Sequence, residues 1–194
     1  MAHYLIETMS EPFQIPPGPL SREAFYAWAD AQPEGRFELE DGEVVAMAPE
    51  RAAHAAVKGE VWLALRNAVR DAGLPCKAVI DSLAVEVGAN TAYVPDVLVD
   101  CGDLGRDALV APAPVIVVEV ISPSTGRRDA VRKFADYFRV PSIRHYLIVD
   151  PDRRVVLHHR RRLAGDDILS RIVAGGMLTL DPPGITVRVE DFFA

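Results

Sequence analysis

The sequence predicts one α/β domain: a central mixed β-sheet flanked by helices, preceded by an N-terminal helix and a β-hairpin. Three observations carry this. Val115, Ile116, Val117, Val118, Val120 and Ile121 form an apolar, β-branched run between Pro114 and Pro123, the pattern of a strand buried on both faces. From Arg51 to Ala72 the apolar residues Val57, Val61, Leu65, Ala68 and Val69 recur at three and four, the spacing of an amphipathic helix. The length of 194 residues suits a single domain able to bury most of its surface.

Composition excludes several classes. Apolar residues make up 49% and charged residues 25% of the chain, the balance of a globular protein. The start, MAHYLIETMSEPFQ, has no basic segment followed by an apolar one, and no run approaches the roughly 20 apolar residues of a membrane span. A cytoplasmic protein without membrane contact is expected. Cys76 and Cys101 have no neighbouring Cys or His at ligand spacing, so they are expected as buried or half-buried thiols. The net charge of −7 argues against a positive coat for indiscriminate nucleic-acid binding. The basic residues nevertheless concentrate in the second half: Arg127, Arg128, Arg132, Lys133 and Arg139 around one helix, then Arg153, Arg154, Arg160, Arg161 and Arg162. A solvated basic face explains them as well as a nucleic-acid surface does.

Along the chain, residues 1–20 hold Pro12, Pro16, Pro17 and Pro19 and read as an extended arm. Ser21 starts a short helix that ends before Pro33. Arg36 to Glu40 and Glu43 to Met47 are strands joined by Asp41-Gly42, a dipeptide suited to a tight hairpin. Alternation puts Glu38 and Glu40 opposite Phe37 and Leu39, which by itself means solvent. The long helix follows, stopped by Gly73; His54 falls on its apolar side, where a hydrogen-bonded core histidine is the ordinary reading. Lys77 to Val87 and Ala92 to Asp100 read as two strands, the second containing Pro95, which implies an irregularity just before Asp96. The buried run is the third. Ser124 or Thr125 caps a helix from about Gly126 to Val140, with Val131, Phe134, Ala135 and Phe138 as its core stripe and Asp129, Lys133 and Tyr137 as a second stripe. An Asp–Lys pair at this spacing is common on exposed helices. His145 to Val149 is the fourth strand, and Val155 to His159, Ser170 to Val173 and Ile185 to Val189 extend the sheet. The first three central strands are expected to run as a meander.

Glu119 interrupts the buried run. A carboxylate there costs several kcal/mol, roughly, unless a cation or a hydrogen-bond network compensates it, and a metal ion is the compensation we expect. The segment Tyr93-Val94-Pro95-Asp96-Val97-Leu98-Val99, then Val118-Glu119-Val120-Ile121-Ser122-Pro123-Ser124-Thr125 with Asp129 and Lys133 in the next helix, then Tyr146-Leu147-Ile148-Val149-Asp150-Pro151, resembles the Uma2 family (DUF820) of the PD-(D/E)XK nuclease superfamily. The resemblance runs from about Phe37 to about Leu157. It implies a restriction-endonuclease-like core and a metal-dependent DNA endonuclease. Asp96 and Glu119 would be the ligands of Mg²⁺ or Mn²⁺, hard-oxygen donors as that ion requires, and water activated there would attack phosphorus in line. Phe37-Glu38-Leu39-Glu40-Asp41-Gly42-Glu43 matches the family's Tyr-Glu-Leu segment with Phe for Tyr, which adds Glu38 to the implied catalytic set. His54 resembles a histidine the family places at the start of its helix. Ser124, Thr125, Arg127, Arg128 and Arg132, with His54, are the residues expected to meet the substrate. The sequence departs from the pattern at Ile121, where the superfamily motif has its lysine two positions after the Glu. Either the protein is an inactive nuclease fold that binds nucleic acid or a protein, or the lysine comes from the following helix, as Lys133. A homodimer is expected, because cutting both strands often takes two sites and the C-terminal strands offer an apolar edge.

Overall fold

The computed structural model describes residues 14–121, 127–162 and 167–194, leaving aside the side chains of 127–131. Its elements are α1 (Arg22–Asp30), β1 (Phe37–Glu40), β2 (Glu43–Ala46), α2 (Ala52–Asp71), β3 (Lys77–Ile80), β4 (Val85–Gly88), β5 (Thr91–Tyr93), β6 (Val97–Asp100), β7 (Pro114–Val120), α3 (Arg127–Tyr137), β8 (His145–Asp150), β9 (Val155–Arg161), β10 (Ile168–Val173), β11 (Met177–Leu180), β12 (Ile185–Arg188) and a terminal 3₁₀ turn (Val189–Phe193). A six-stranded mixed sheet ordered β10-β9-β8-β7-β6-β3 forms the centre, and a four-stranded sheet ordered β2-β1-β5-β4 stands beside it.

Sequence explains the layering. Strand β7 is buried on both faces: Ile116, Val118 and Val120 join Val61, Leu65 and Val69 of α2 and the β11–β12 hairpin in one cluster. Val117 on the other face joins Tyr137 of α3 and Tyr146 of β8 in a second. Helix α2 thus covers one face and α3 the other. Strands β7 and β8 are parallel, joined through α3, whereas the other pairings of the central sheet are antiparallel. At the N-terminus the Ser21 hydroxyl accepts from the Ala24 amide and caps α1, as expected. The β1–β2 turn has Asp41 at φ 50° and Gly42 at φ 88°, the left-handed pair that such hairpins need.

Several expectations are corrected. The run Lys77 to Val87 is not one strand: it breaks at Asp81, whose φ is 51°, so β3 stays in the central sheet and β4 crosses to the smaller one. The run Ala92 to Asp100 divides likewise at Pro95, whose missing N–H cannot serve a ladder, giving β5 in one sheet and β6 in the other. The meander β3, β6, β7 therefore exists with the β4–β5 excursion inserted in it. On α3, Phe134 and Phe138 are partly buried in the core, but Ala135 is exposed, while Lys133 and Tyr137 are buried. The helix turns its polar stripe inward because carboxylates wait there. Cys76 and Cys101 are not thiols but a disulfide. Lys77 pairs with Asp100, so the β3–β6 register sets the two cysteines side by side. Of the C-terminal strands, β9 and β10 extend the central sheet, but Ile185–Arg188 does not: β12 pairs with β11 in a separate two-stranded sheet that buries Leu178, Leu180, Ile185 and Val187, and the exposed apolar edge is β10, with Leu169 and Ile172 on its surface.

Candidate active site at the ends of strands β3, β6 and β7

Three carboxylates line up in one row across the sheet. Ile80 pairs with Val97 and Val97 with Val118, so the next position along each strand holds Asp81, Asp96 and Glu119. The Asp81 amide still donates to the Asp96 carbonyl at 3.1 Å. Glu119 keeps strand alternation and, like Val117, faces α3. Asp96 follows the irregular Val94-Pro95 backbone and turns toward α2, its Oδ2 accepting from the Val120 amide at 2.6 Å.

On the α3 side, the Glu119 Oε1 accepts from the Tyr137 hydroxyl at 2.7 Å and from the Lys133 ammonium at 3.3 Å. Both donors land on Oε1, and among the described residues none lands on Oε2. Lys133 also reaches Glu38 Oε1 at 3.1 Å and lies 5.0 Å from the centre of the Tyr93 ring. Glu38 is buried, not in solvent, and its Oε1 takes the Val94 amide at 2.8 Å. That bond ties the hairpin to the irregular segment preceding Asp96. Burial, with Asp96 and Glu38 nearby as further anions, pushes the Glu119 carboxyl up to about 8 against the pull of Lys133. The Tyr137 hydroxyl is held well above its ordinary range by burial and by the Glu119 charge.

On the α2 side, Lys58 is 1% exposed and its ammonium contacts Glu50 Oε1, both oxygens of Asp81 at 2.7 Å, and Asp96 Oδ1 at 3.0 Å. Arg36 adds to Asp81 at 2.8 Å and to Glu50 at 3.5 Å. The His54 Nε2 lies 3.6 Å from Asp96 Oδ2. Burial raises the Asp96 carboxyl, but His54, Lys58 and the Val120 amide outweigh it and leave the group below its ordinary value. The neighbouring Asp96 carboxylate raises His54. Glu50, His54 and Asp96 also present ligand atoms within 4.8 Å of one another.

Glu119, Lys133 and Glu38 are thus brought together on the α3 side and Asp96 and His54 on the α2 side, with the Asp96 charge acting on Glu119 across the neighbouring strand ends. Arg132 lies at its rim, paired with Glu40 at 2.5 Å. Ser124, Thr125 and the side chains of Arg127, Arg128, Asp129 and Val131 lie outside the described residues. Sequence reasoning missed Lys58, Glu50, Asp81 and the hydroxyl of Tyr137. For Lys58 a signal existed: it sits four residues after His54 and three before Val61, a lysine on the apolar side of a helix, which calls for buried anions.

Residues 22–190 match the model of the Uma2 family, described as "Putative restriction endonuclease". An uncharacterized protein of Synechocystis sp. is 28% identical over 173 residues, 88% of this chain and 90% of that one. A solved structure from Anabaena variabilis, titled as a putative nuclease belonging to DUF820, superposes with a TM-score of 0.71 over 90% of this chain and 98% of its own, at 16% identity. That likeness shows the shared mixed α/β fold.

Proposed function

This chain belongs to the Uma2 family, and we propose that it is a metal-dependent DNA endonuclease whose catalytic groups are Asp96, Glu119 and Lys133. The observation that carries the reading is the Lys133 ammonium, 3.3 Å from Glu119 and drawn from the helix after the strand, where it can do the work that Ile121 cannot.

The residues present fit a Mg²⁺ or Mn²⁺ ion. Asp96 and Glu119 are hard-oxygen donors at adjacent strand ends, the donor type that a hard divalent ion takes. Such an ion supplies activation of a water and neutralisation of phosphate charge. Asp96 and Glu119 would hold it, with Tyr137 fixing Glu119 in orientation. Lys133 would orient the attacking water or meet the charge developing on phosphorus, and Glu38 holds its ammonium in that position. Arg132 and its neighbours on α3 would meet the phosphate backbone. His54, which steadies Asp96 from the α2 side, acts through that carboxylate.

Plasmid nicking tests the reading. Cleavage with Mg²⁺ or Mn²⁺, abolished by chelator and by Asp96→Asn, is the expected result. Salt-sensitive DNA binding with no cleavage under any divalent ion, unchanged by Asp96→Ala, would instead establish an inactive nuclease fold, the reading that Ile121 favours. A homodimer suits an enzyme that cuts both strands, with the exposed β10 edge as the surface it would use. A monomer by light scattering at micromolar concentration would remove that part.

A further inference from the structure

We propose that Lys58 is a resident cation: its ammonium takes the place of a second metal ion, so that the site holds one divalent ion, at Asp96 and Glu119, and not two. The inference rests on the metal-dependent reading above and adds the number of ions and the residue that sets it.

Glu50, His54 and Asp96 would make a ligand set, since their donor atoms lie within 4.8 Å of one another. Lys58 already touches two of the three, Glu50 and Asp96, and adds both oxygens of Asp81. An ammonium has three protons to donate and no acceptor capacity, and here three separate carboxylates receive them. The lysine is held there by its helix. It lies on the buried side of α2 with Val61, Leu65 and Val69, so its stem is packed and its head, at 1% exposure, does not compete with water.

A lysine that merely paired with an anion would be served by one carboxylate. The cluster instead gathers Glu50, Asp81 and Asp96 around one point, with Arg36 at the outer edge of the first two. Without Lys58, three carboxylates would face a single guanidinium and a histidine, a charge balance that demands another cation. Compact, hard and strongly hydrated cations are what an oxygen cluster takes, and a lysine ammonium is the covalently tethered equivalent, a point charge on a flexible stem.

The test is the stoichiometry of Mn²⁺ bound to the full chain, from titration followed by the electron paramagnetic resonance signal of free Mn²⁺. The expected result is one ion per native chain and two per Lys58→Met chain, the added ion being lost again when Glu50→Gln is combined with Lys58→Met. Two ions in the native chain, or one in a folded Lys58→Met chain, would overturn the inference while leaving the metal-dependent reading in place. No ion bound to the native chain overturns that reading and this one with it. Should Lys58→Met fail to fold, Glu50→Gln in the native chain decides. It should leave the affinity of the single ion within about threefold, whereas an ion held by the Glu50 set would be weakened by about tenfold or more, the scale of a lost ligand. A merely structural role for Lys58 would change stability without moving the count of ions.

Discussion

The two sides of the carboxylate row solve the same electrostatic problem differently. On the α2 side, Asp96 and its companions Glu50 and Asp81 are matched by Lys58 and Arg36, and the Asp96 carboxyl is held below its ordinary value. On the α3 side, Glu119 and Glu38 share Lys133, and Glu119 is pushed up to about 8. One side holds its central carboxylate as an anion; the other buries its central carboxylate so deeply that the proton is favoured. A row of three similar residues has been divided by its helices into a cluster around Lys58 and one around Lys133.

The largest effect that would break this comparison is loss of turnover. Asp96→Asn and Glu119→Gln should each lower plasmid cleavage by about 10³-fold, several kcal/mol at about 1.4 kcal/mol per factor of ten. Retained activity in either would mean that the row is not the ligand set. Next, Lys133→Met should cost about 10²- to 10³-fold in turnover, the scale of removing one stabilising donor, with Mn²⁺ still bound. If cleavage by Lys133→Met matched the native rate, Lys133 would be an ordinary helix salt bridge.

Stability sharpens the contrast further. Lys58→Met leaves three carboxylates facing one guanidinium and His54 and should destabilise the metal-free fold by about 3 kcal/mol or more, read from urea unfolding at pH 7. Lys133→Met should cost less at the same pH, because Glu119, with its carboxyl at about 8, already holds a proton there, so the variant takes a cation from one ionised carboxylate, Glu38, and not from three. Equal losses would show the two sides to be electrostatically alike.

How much of this was legible in the sequence follows the same division. The α3 side lies in one contiguous stretch that carries Glu119, Lys133 and Tyr137 within 19 residues, so the pattern finds Glu119 and the family resemblance finds Lys133. Which way α3 faces was not legible, because a stripe of Phe134, Ala135 and Phe138 looks like a core face until the buried Glu119 and Glu38 draw Lys133 inward. The α2 side is gathered from Arg36, Glu50, Lys58, Asp81 and Asp96, five positions spread over the first half of the chain. Asp81 was hidden inside what reads as one long strand, and nothing local marks a residue whose left-handed backbone ends β3 and starts the excursion into the smaller sheet. The disulfide failed to appear for a related reason: only the β3–β6 register brings Cys76 to Cys101, and register is a property of the paired strands.

The smallest effect is a slope of stability against pH, and it isolates the α3 side. A carboxyl raised in the folded state holds a proton that the unfolded chain has already released, so the folded state is the one that gains protons over the window between the two values. Stability then falls as pH rises, from the ordinary glutamate value of 4.5 up to about 8, with a slope of at most about 1.4 kcal/mol per pH unit for one proton. Asp96, lowered in the fold, acts in the opposite sense and only at acid pH, where its stabilisation is lost as the carboxylate is protonated. The difference between native protein and Glu119→Gln therefore separates the two: the variant should lose the decline between pH 5 and pH 8, roughly the Glu119 window, and keep the acid limb. Saturating Mn²⁺ should flatten the native decline as well, since an ion at Glu119 replaces the proton. Parallel curves for native protein and Glu119→Gln across that range would mean that Lys133 and Tyr137 already satisfy Glu119 as an anion, and that the α3 side holds its carboxylate charged as the α2 side does.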